Sequence, residues 1–220
     1  MTATITHPAI TPAGSVNRAL RAFRDGLVRF TGKDMLRMMQ IGVIPEDSTI
    51  ELLDGILVYR DCGDSKGRPG TAGIDHDYVV SAISDLSAVV NSATCCLRAQ
   101  ITLCVSETYV PIPDAMILHG PTTTYRKRQP VPANVLCVIE VADSSYERDA
   151  GEKRAAYAAA GIGCYIIIID LRNRTAEVCT GPDTTAATYP PPVIVPASGS
   201  IPLRVGETEV FEAPLGELLP

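Results

Sequence analysis

One stretch, Val135-Leu-Cys-Val-Ile-Glu-Val-Ala142, constrains the fold more than any other, because it is apolar on both faces of an extended chain except at Glu140. A strand of this kind belongs in the middle of a mixed sheet that is covered on each side by other elements. A carboxylate inside such a strand is costly unless it is paired or bound to a metal. The segment therefore predicts a mixed central sheet and marks Glu140 as the residue that packing explains least.

The flanking patterns supply the neighbours. Thr31-Gly-Lys-Asp34 reads as a capping box, followed by a short helix over Met35–Ile41 that stops before Gly42. Pro45-Glu-Asp-Ser48 is a turn signal, and Glu51-Leu-Leu and Ile56-Leu-Val read as two short strands around an Asp54-Gly55 hairpin turn. Residues 61–75, rich in Gly, Asp, Lys and Arg, mark a flexible loop. Val79, Ile83, Leu86 and Val90 recur at helical spacing and predict one helix over His76–Asn91. Leu97, Ala99, Ile101, Leu103 and Val105 alternate with polar residues, as in a half-buried strand, and Pro111–Leu118 reads as a second strand. Ala150–Ala160 is Ala-rich and helical, with Gly161 as its C-cap. Cys164–Asp170 and Thr175–Thr180 read as strands joined across an Arg172-Asn173 turn. The expected architecture is α/β, a mixed central β-sheet flanked by helices. Residues 28–190 form its domain, 1–27 a flexible arm, and the Pro-rich segment 191–220 an extension packed on the surface.

Composition excludes several functions. Asp and Glu outnumber Lys and Arg 25 to 19, a net charge of −6, which argues against a broad basic face that coats nucleic acid. With 8 Tyr, 3 Phe and no Trp, a stacking platform for single strands is not expected either. The 7 cysteines form no C-x-x-C pair and read as reduced thiols of a cytosolic core. The longest apolar run, Cys164–Ile169, falls far short of the roughly 20 residues that span a bilayer. The first 25 residues hold no apolar core of a signal peptide. The expected location is the cytoplasm, with no membrane partner.

Four charged residues stand where the pattern asks for apolar ones. Asp114 follows Pro113 in an apolar strand, Glu140 lies in the central strand, Lys153 is on the helix after it, and Glu51 opens the first hairpin. Two acids on neighbouring strands can hold a hard divalent cation through oxygen. The cation activates water and offsets charge on phosphorus, while a nearby ammonium orients or deprotonates the nucleophile. This is the active-site logic of the PD-(D/E)xK nuclease superfamily.

The chain resembles the Uma-type restriction endonuclease family within that superfamily, from about Phe30 to Tyr189. The resemblance rests on Ile50-Glu-Leu-Leu-Asp-Gly55, His76 opening a helix, Gln100 in the first long strand, and Pro113-Asp114. Its densest part is Val138-Ile-Glu-Val-Ala-Asp-Ser-Ser145, then Asp149-x-x-x-Lys153-x-x-x-Tyr157, Ala160-Gly-Ile and Ile169-Asp-Leu171. It implies a restriction-endonuclease-like core and a metal-dependent DNA endonuclease using a metal-activated water. By the same resemblance, Asp114 and Glu140 hold Mg²⁺ or Mn²⁺, Glu51 is a third acid, and Lys153 is catalytic. His76, Gln100 and Tyr157 are supporting or substrate-binding residues. The partner is DNA, touched locally and salt-sensitively, and a homodimer is compatible with the class. Two departures stand out. Ala142, two residues after Glu140, occupies the place of the superfamily's usual lysine, and Lys153 on the helix takes that role in this family. The strand Cys164–Ile169 lacks the family's usual acidic residue and Trp.

Each residue also has a plainer explanation. Asp114 after proline suits a turn. Asp149 and Lys153 make an i,i+4 pair worth about 0.3–0.5 kcal/mol if exposed. Tyr157 could be core, His76 a helix cap, Gln100 the wet side of a strand, and Glu140 a structural ion pair. Asp54 is read as a turn residue and Arg126-Lys-Arg128 as a solvated loop. The alternative function is a non-catalytic binding module that keeps the nuclease fold. A third reading is another metal-dependent phosphoesterase.

Overall fold

In the computed structural model the described residues are 26–45, 48–60, 73–143, 145–169 and 173–220. Most of the expected N-terminal arm, part of the Pro45 turn, the loop through residue 72 and part of the Arg172-Asn173 turn lie outside them.

Helix α1 (Gly32–Gln40) starts where the capping box places it: Asp34 N–H donates to Thr31 Oγ1 at 3.2 Å, and Thr31 N–H donates to Asp34 Oδ2 at 2.8 Å. The helix begins three residues earlier than the apolar pattern suggested, because the box itself supplies its first turn. Strands β1 (Ile50–Leu53) and β2 (Ile56–Tyr59) form a hairpin whose two turn residues, Asp54 and Gly55, have φ of 49° and 75°. Both values belong to the tight turn that matches strand twist. Asp54 thus keeps its turn role.

Helix α2 (Ile74–Asp85) and the short α3 (Ser87–Val90) replace the single helix expected over His76–Asn91, with the break at Leu86. The six-stranded sheet then runs in the order β3 (Cys95–Ala99), β4 (Ala115–His119), β5 (Val135–Ala142), β6 (Cys164–Ile169), β7 (Thr175–Thr180), β8 (Val193–Pro196). Every neighbouring pair is antiparallel except β5–β6, which is parallel and is crossed by helix. The eight residues of β5 are all buried, third in the order, as their composition requires.

Alternate β5 residues serve two cores. Cys137, Ile139 and Val141 face α2 and the C-terminal elements, whereas Val138 and Ala142 face Tyr157, Tyr165 and Met116. Ile117 pairs with Cys137 and Leu118 with Val135, so Leu136 is an extra residue, a β-bulge, upstream of Glu140.

Three expectations are corrected. The alternating run 97–105 is not one strand: β3 ends at Ala99, and the next residue, Gln100, has φ 51° and donates its N–H to Asp114 O at 3.0 Å. The alternation continues because Leu103 is fully buried in the core, not because the ladder does. The strand expected from Pro111 starts at Ala115, since Pro111 and Pro113 have no N–H for a ladder. The segment after residue 190 does not simply lie on the surface. It supplies β8, the hairpin β9 (Ser200–Arg204) with β10 (Val210–Pro214), and α6 (Leu215–Leu218). Ile201, Leu203, Leu215 and Leu218 are part of the main core, an alternation that the prolines masked.

Candidate active site

The helical crossover after β5 is irregular. Helix α4 (Tyr146–Arg148) passes through one π-helical turn, Asp149–Lys153, into α5 (Arg154–Ala159). The expected helix over Ala150–Ala160 therefore starts earlier and contains a wide turn, a feature that often marks a functional position. It ends as expected at Gly161, φ 74°, with Ile162 N–H bonded to Tyr157 O and Gly161 N–H to Ala158 O.

The wide turn aims Lys153 at the sheet. Its Nζ lies 3.0 Å from Glu51 Oε1, 3.1 Å from Glu140 Oε1 and 3.5 Å from Asp149 Oδ1. Tyr157, one turn on, donates its hydroxyl to Glu140 Oε1 at 2.9 Å. Glu51, Asp114, Glu140, Asp149 and Lys153 are 0, 3, 1, 2 and 1 % exposed, so these charges meet out of water. Burial opposes the charge on Lys153, but Glu140, Glu51 and Asp149 outweigh it and hold its pKa above the usual lysine value. Burial pushes Glu140 up to about 7, opposed by Lys153 and Arg60 and reinforced by Asp149 and Glu51. The Tyr157 hydroxyl is held far above the ordinary tyrosine value, mainly by burial and then by Glu140.

Asp114 sits where β4 begins, one residue before the ladder. The β4–β5 pairing ends at Ala115 and Ile139, and Asp114 Oδ2 accepts the next N–H, from Val141, at 2.7 Å. Its backbone N–H approaches Glu140 Oε2 at 3.4 Å. Its other oxygen, Oδ1, accepts from Arg60 Nη2 and lies 3.2 Å from His76 Nε2. Glu51 enters from the separate hairpin, which docks through Leu52 and Val110 backbone bonds and accepts Ile112 N–H at Glu51 Oε1, 2.8 Å.

The fold thus gathers Glu51, His76, Asp114, Glu140, Lys153 and Tyr157. Gln100 joins only through its backbone, and its side chain is exposed. Arg128 stands over the Tyr125 ring at 5.4 Å, a local contact of the basic loop. Sequence reasoning missed Arg60, a lone basic residue after the apolar β2. It gave Asp149 no role in the site, and the exposed i,i+4 pair offered as the plainer explanation of Asp149 and Lys153 does not hold, since both are buried. Tyr165, whose hydroxyl donates to Asp149 O at 2.9 Å and whose ring meets Tyr157 edge-on at 4.9 Å, carried no signal of its own.

Among the described residues no three His, Cys, Asp or Glu side chains form a ready-made metal cluster. The donor set nevertheless fits a hard cation held by two carboxylates plus water or phosphate. Among the described residues, Glu51, Asp114, Glu140 and Asp149 pair with two permanent cations, Lys153 and Arg60, so acids outnumber them there. Glu51 Oε2 is buried without a hydrogen-bond partner, and Glu140 Oε2 meets only the long Asp114 contact among the described residues.

A family model named Uma2, described as "Putative restriction endonuclease", matches residues 34–208. No curated protein matches. A solved structure from Anabaena variabilis, described as a "putative nuclease belonging to DUF820", is similar with a TM-score of 0.55 and 12% identity, covering 82% of this chain and 96% of that one. That likeness shows a shared fold, a mixed sheet of the restriction-endonuclease-like kind.

Proposed function

The chain belongs to the Uma2 family, and from that membership we propose that it is a divalent-metal-dependent endonuclease hydrolysing phosphodiester bonds in DNA. The observation that carries this reading is the meeting of buried Asp114 and Glu140 at the β4–β5 junction, with Lys153 on the same Glu140. Asp114 and Glu140 would hold Mg²⁺ or Mn²⁺, which lowers the pKa of a bound water and offsets charge developing on phosphorus.

The chain's own residues divide the remaining work. Tyr157 and Lys153 both engage Glu140 Oε1, which leaves Oε2 as the oxygen turned toward Asp114. Val141 N–H fixes Asp114 by Oδ2, which leaves Oδ1 facing Arg60 and His76. Lys153, ringed by acids, acts as a fixed cation that orients the nucleophile and stabilises charge on the scissile phosphate. Glu51 and Asp149 keep that ammonium in place.

The test is a cleavage assay at low ionic strength, because an acidic chain binds DNA weakly and salt weakens it further. Supercoiled, linear and single-stranded DNA are each offered with Mg²⁺ and Mn²⁺. Glu140→Ala and Lys153→Ala are each expected to lose on the order of 10²-fold or more in rate. Cleavage that survives both substitutions overturns the site. Failure to cleave any substrate favours instead a binding module that retains the nuclease fold.

A further inference from the structure

We propose that Arg60 is a phosphate-binding residue that Asp114 holds between the site and the neighbouring cleft and releases when Asp114 takes a metal ion. The inference rests on the metal-dependent reading above and adds a residue which that reading does not use.

Asp114 has one oxygen committed to the sheet, since Oδ2 accepts Val141 N–H at 2.7 Å. The oxygen with more room for a cation is Oδ1, to which the Arg60 guanidinium already donates and which also lies 3.2 Å from His76 Nε2. A guanidinium and a divalent ion cannot share that oxygen without strong like-charge repulsion. Arg60 therefore serves as the counter-ion of Asp114 and would compete with a metal ion for its Oδ1.

Where the released side chain goes is limited by its backbone. Arg60 N–H donates to Thr49 O at 2.7 Å, and its carbonyl accepts from Arg148 Nη2, so release from Asp114 would move the side chain and not the backbone. Beside it lies a cleft of about 820 Å³, with Met35 and Val110 on its apolar wall and Gln100, Thr102 and Gln129 on its polar wall. Of the charged groups gathered at the site, Arg60 alone lines this cleft. Lys33 and Glu107 also line the cleft, and a phosphodiester crossing it would reach the Arg60 guanidinium before Asp114 and Glu140, which are not on the lining. The planar five-donor fork suits phosphate oxygens better than an ammonium does.

The test is calorimetric titration of Mn²⁺ into wild type, Arg60→Gln, Arg60→Lys and Asp114→Asn. Arg60→Gln is expected to bind Mn²⁺ about tenfold more tightly or better, the equivalent of one displaced charge-assisted hydrogen bond. Arg60→Lys keeps a charge for folding but loses the fork, and is expected to bind Mn²⁺ several-fold more tightly. Once saturated with Mn²⁺, Arg60→Gln is expected to bind a short DNA duplex several-fold more weakly, read by fluorescence anisotropy. Unchanged or weaker Mn²⁺ binding in a folded Arg60→Gln overturns the competition, and should that variant not fold, unchanged binding in Arg60→Lys does so. Equal DNA binding overturns the phosphate contact. The two readings fail distinguishably: Mn²⁺ binding lost in Asp114→Asn but unchanged in Arg60→Gln removes only this inference. Absence of Mn²⁺ binding in every protein removes the metal centre along with it.

Discussion

Lys153 is the residue on which the buried charges depend. It is the ammonium shared by Glu51, Glu140 and Asp149, and removing one partner of a buried ionic group leaves the others uncompensated. Lys153→Met is expected to destabilise the fold by about 3–5 kcal/mol, measured by urea denaturation. Glu140 adds a pH dependence of definite sign. Its folded pKa is raised to about 7, so the folded state binds the proton that the unfolded state releases from about pH 4.5 upward. In metal-free buffer, stability should therefore fall as pH rises from about 4.5 to 7 and level off above. Glu140→Gln should remove that part of the slope, read as the difference between the two proteins' denaturation midpoints across the window. Glu140 could be singled out from sequence because charge inside an apolar strand is a local anomaly. Arg60 could not, since its partner Asp114 is 54 residues away and nothing around it breaks a pattern.

At the scale of elements, what was legible in the sequence had its cause close by in the chain. The capping box, the Asp54-Gly55 turn, the Gly161 cap and the buried β5 each follow from a few adjacent residues. The end of β3 before Gln100 and the π-helical turn at Asp149–Lys153 have no such local cause. The first depends on an N–H bond to Asp114, and the second brings Lys153 to acids from two other segments, Glu51 and Glu140. The hairpin offers a sharp test of a local cause. Gly55 has φ 75°, and a Cβ there would lie 2.7 Å from Arg29 Cβ and 3.2 Å from Phe30 O. Its N–H also bonds Thr108 O at 2.7 Å, which ties the turn to the chain that follows β3. Gly55→Ala is expected to cost about 1 kcal/mol or more from backbone strain alone, with a lowered thermal midpoint. Because Glu51 rides on this hairpin, cleavage should fall as well.

For the whole molecule, the segment beyond Pro192 is as much a part of the core as the strands that precede it. Ile201, Leu203 and Leu215 are fully buried and Leu218 nearly so. Burying each is worth about 1.5–3 kcal/mol, which together rivals the roughly 5–15 kcal/mol by which a typical domain is stable. A chain ending at Pro192 is expected to show no cooperative melting transition by circular dichroism, although it would retain every residue of the candidate site.

The spread of the charged cluster along the chain also sets a timetable during synthesis. Glu51, Asp114, Glu140 and Asp149 all leave the ribosome before Lys153, the ammonium that three of them share. Until that residue emerges, burying those acids would mean leaving carboxylates without their counter-ion, so the nascent chain has reason to stay open there. A partly made chain that stops short of Lys153 therefore lacks the ammonium around which the centre proposed to cut DNA would assemble.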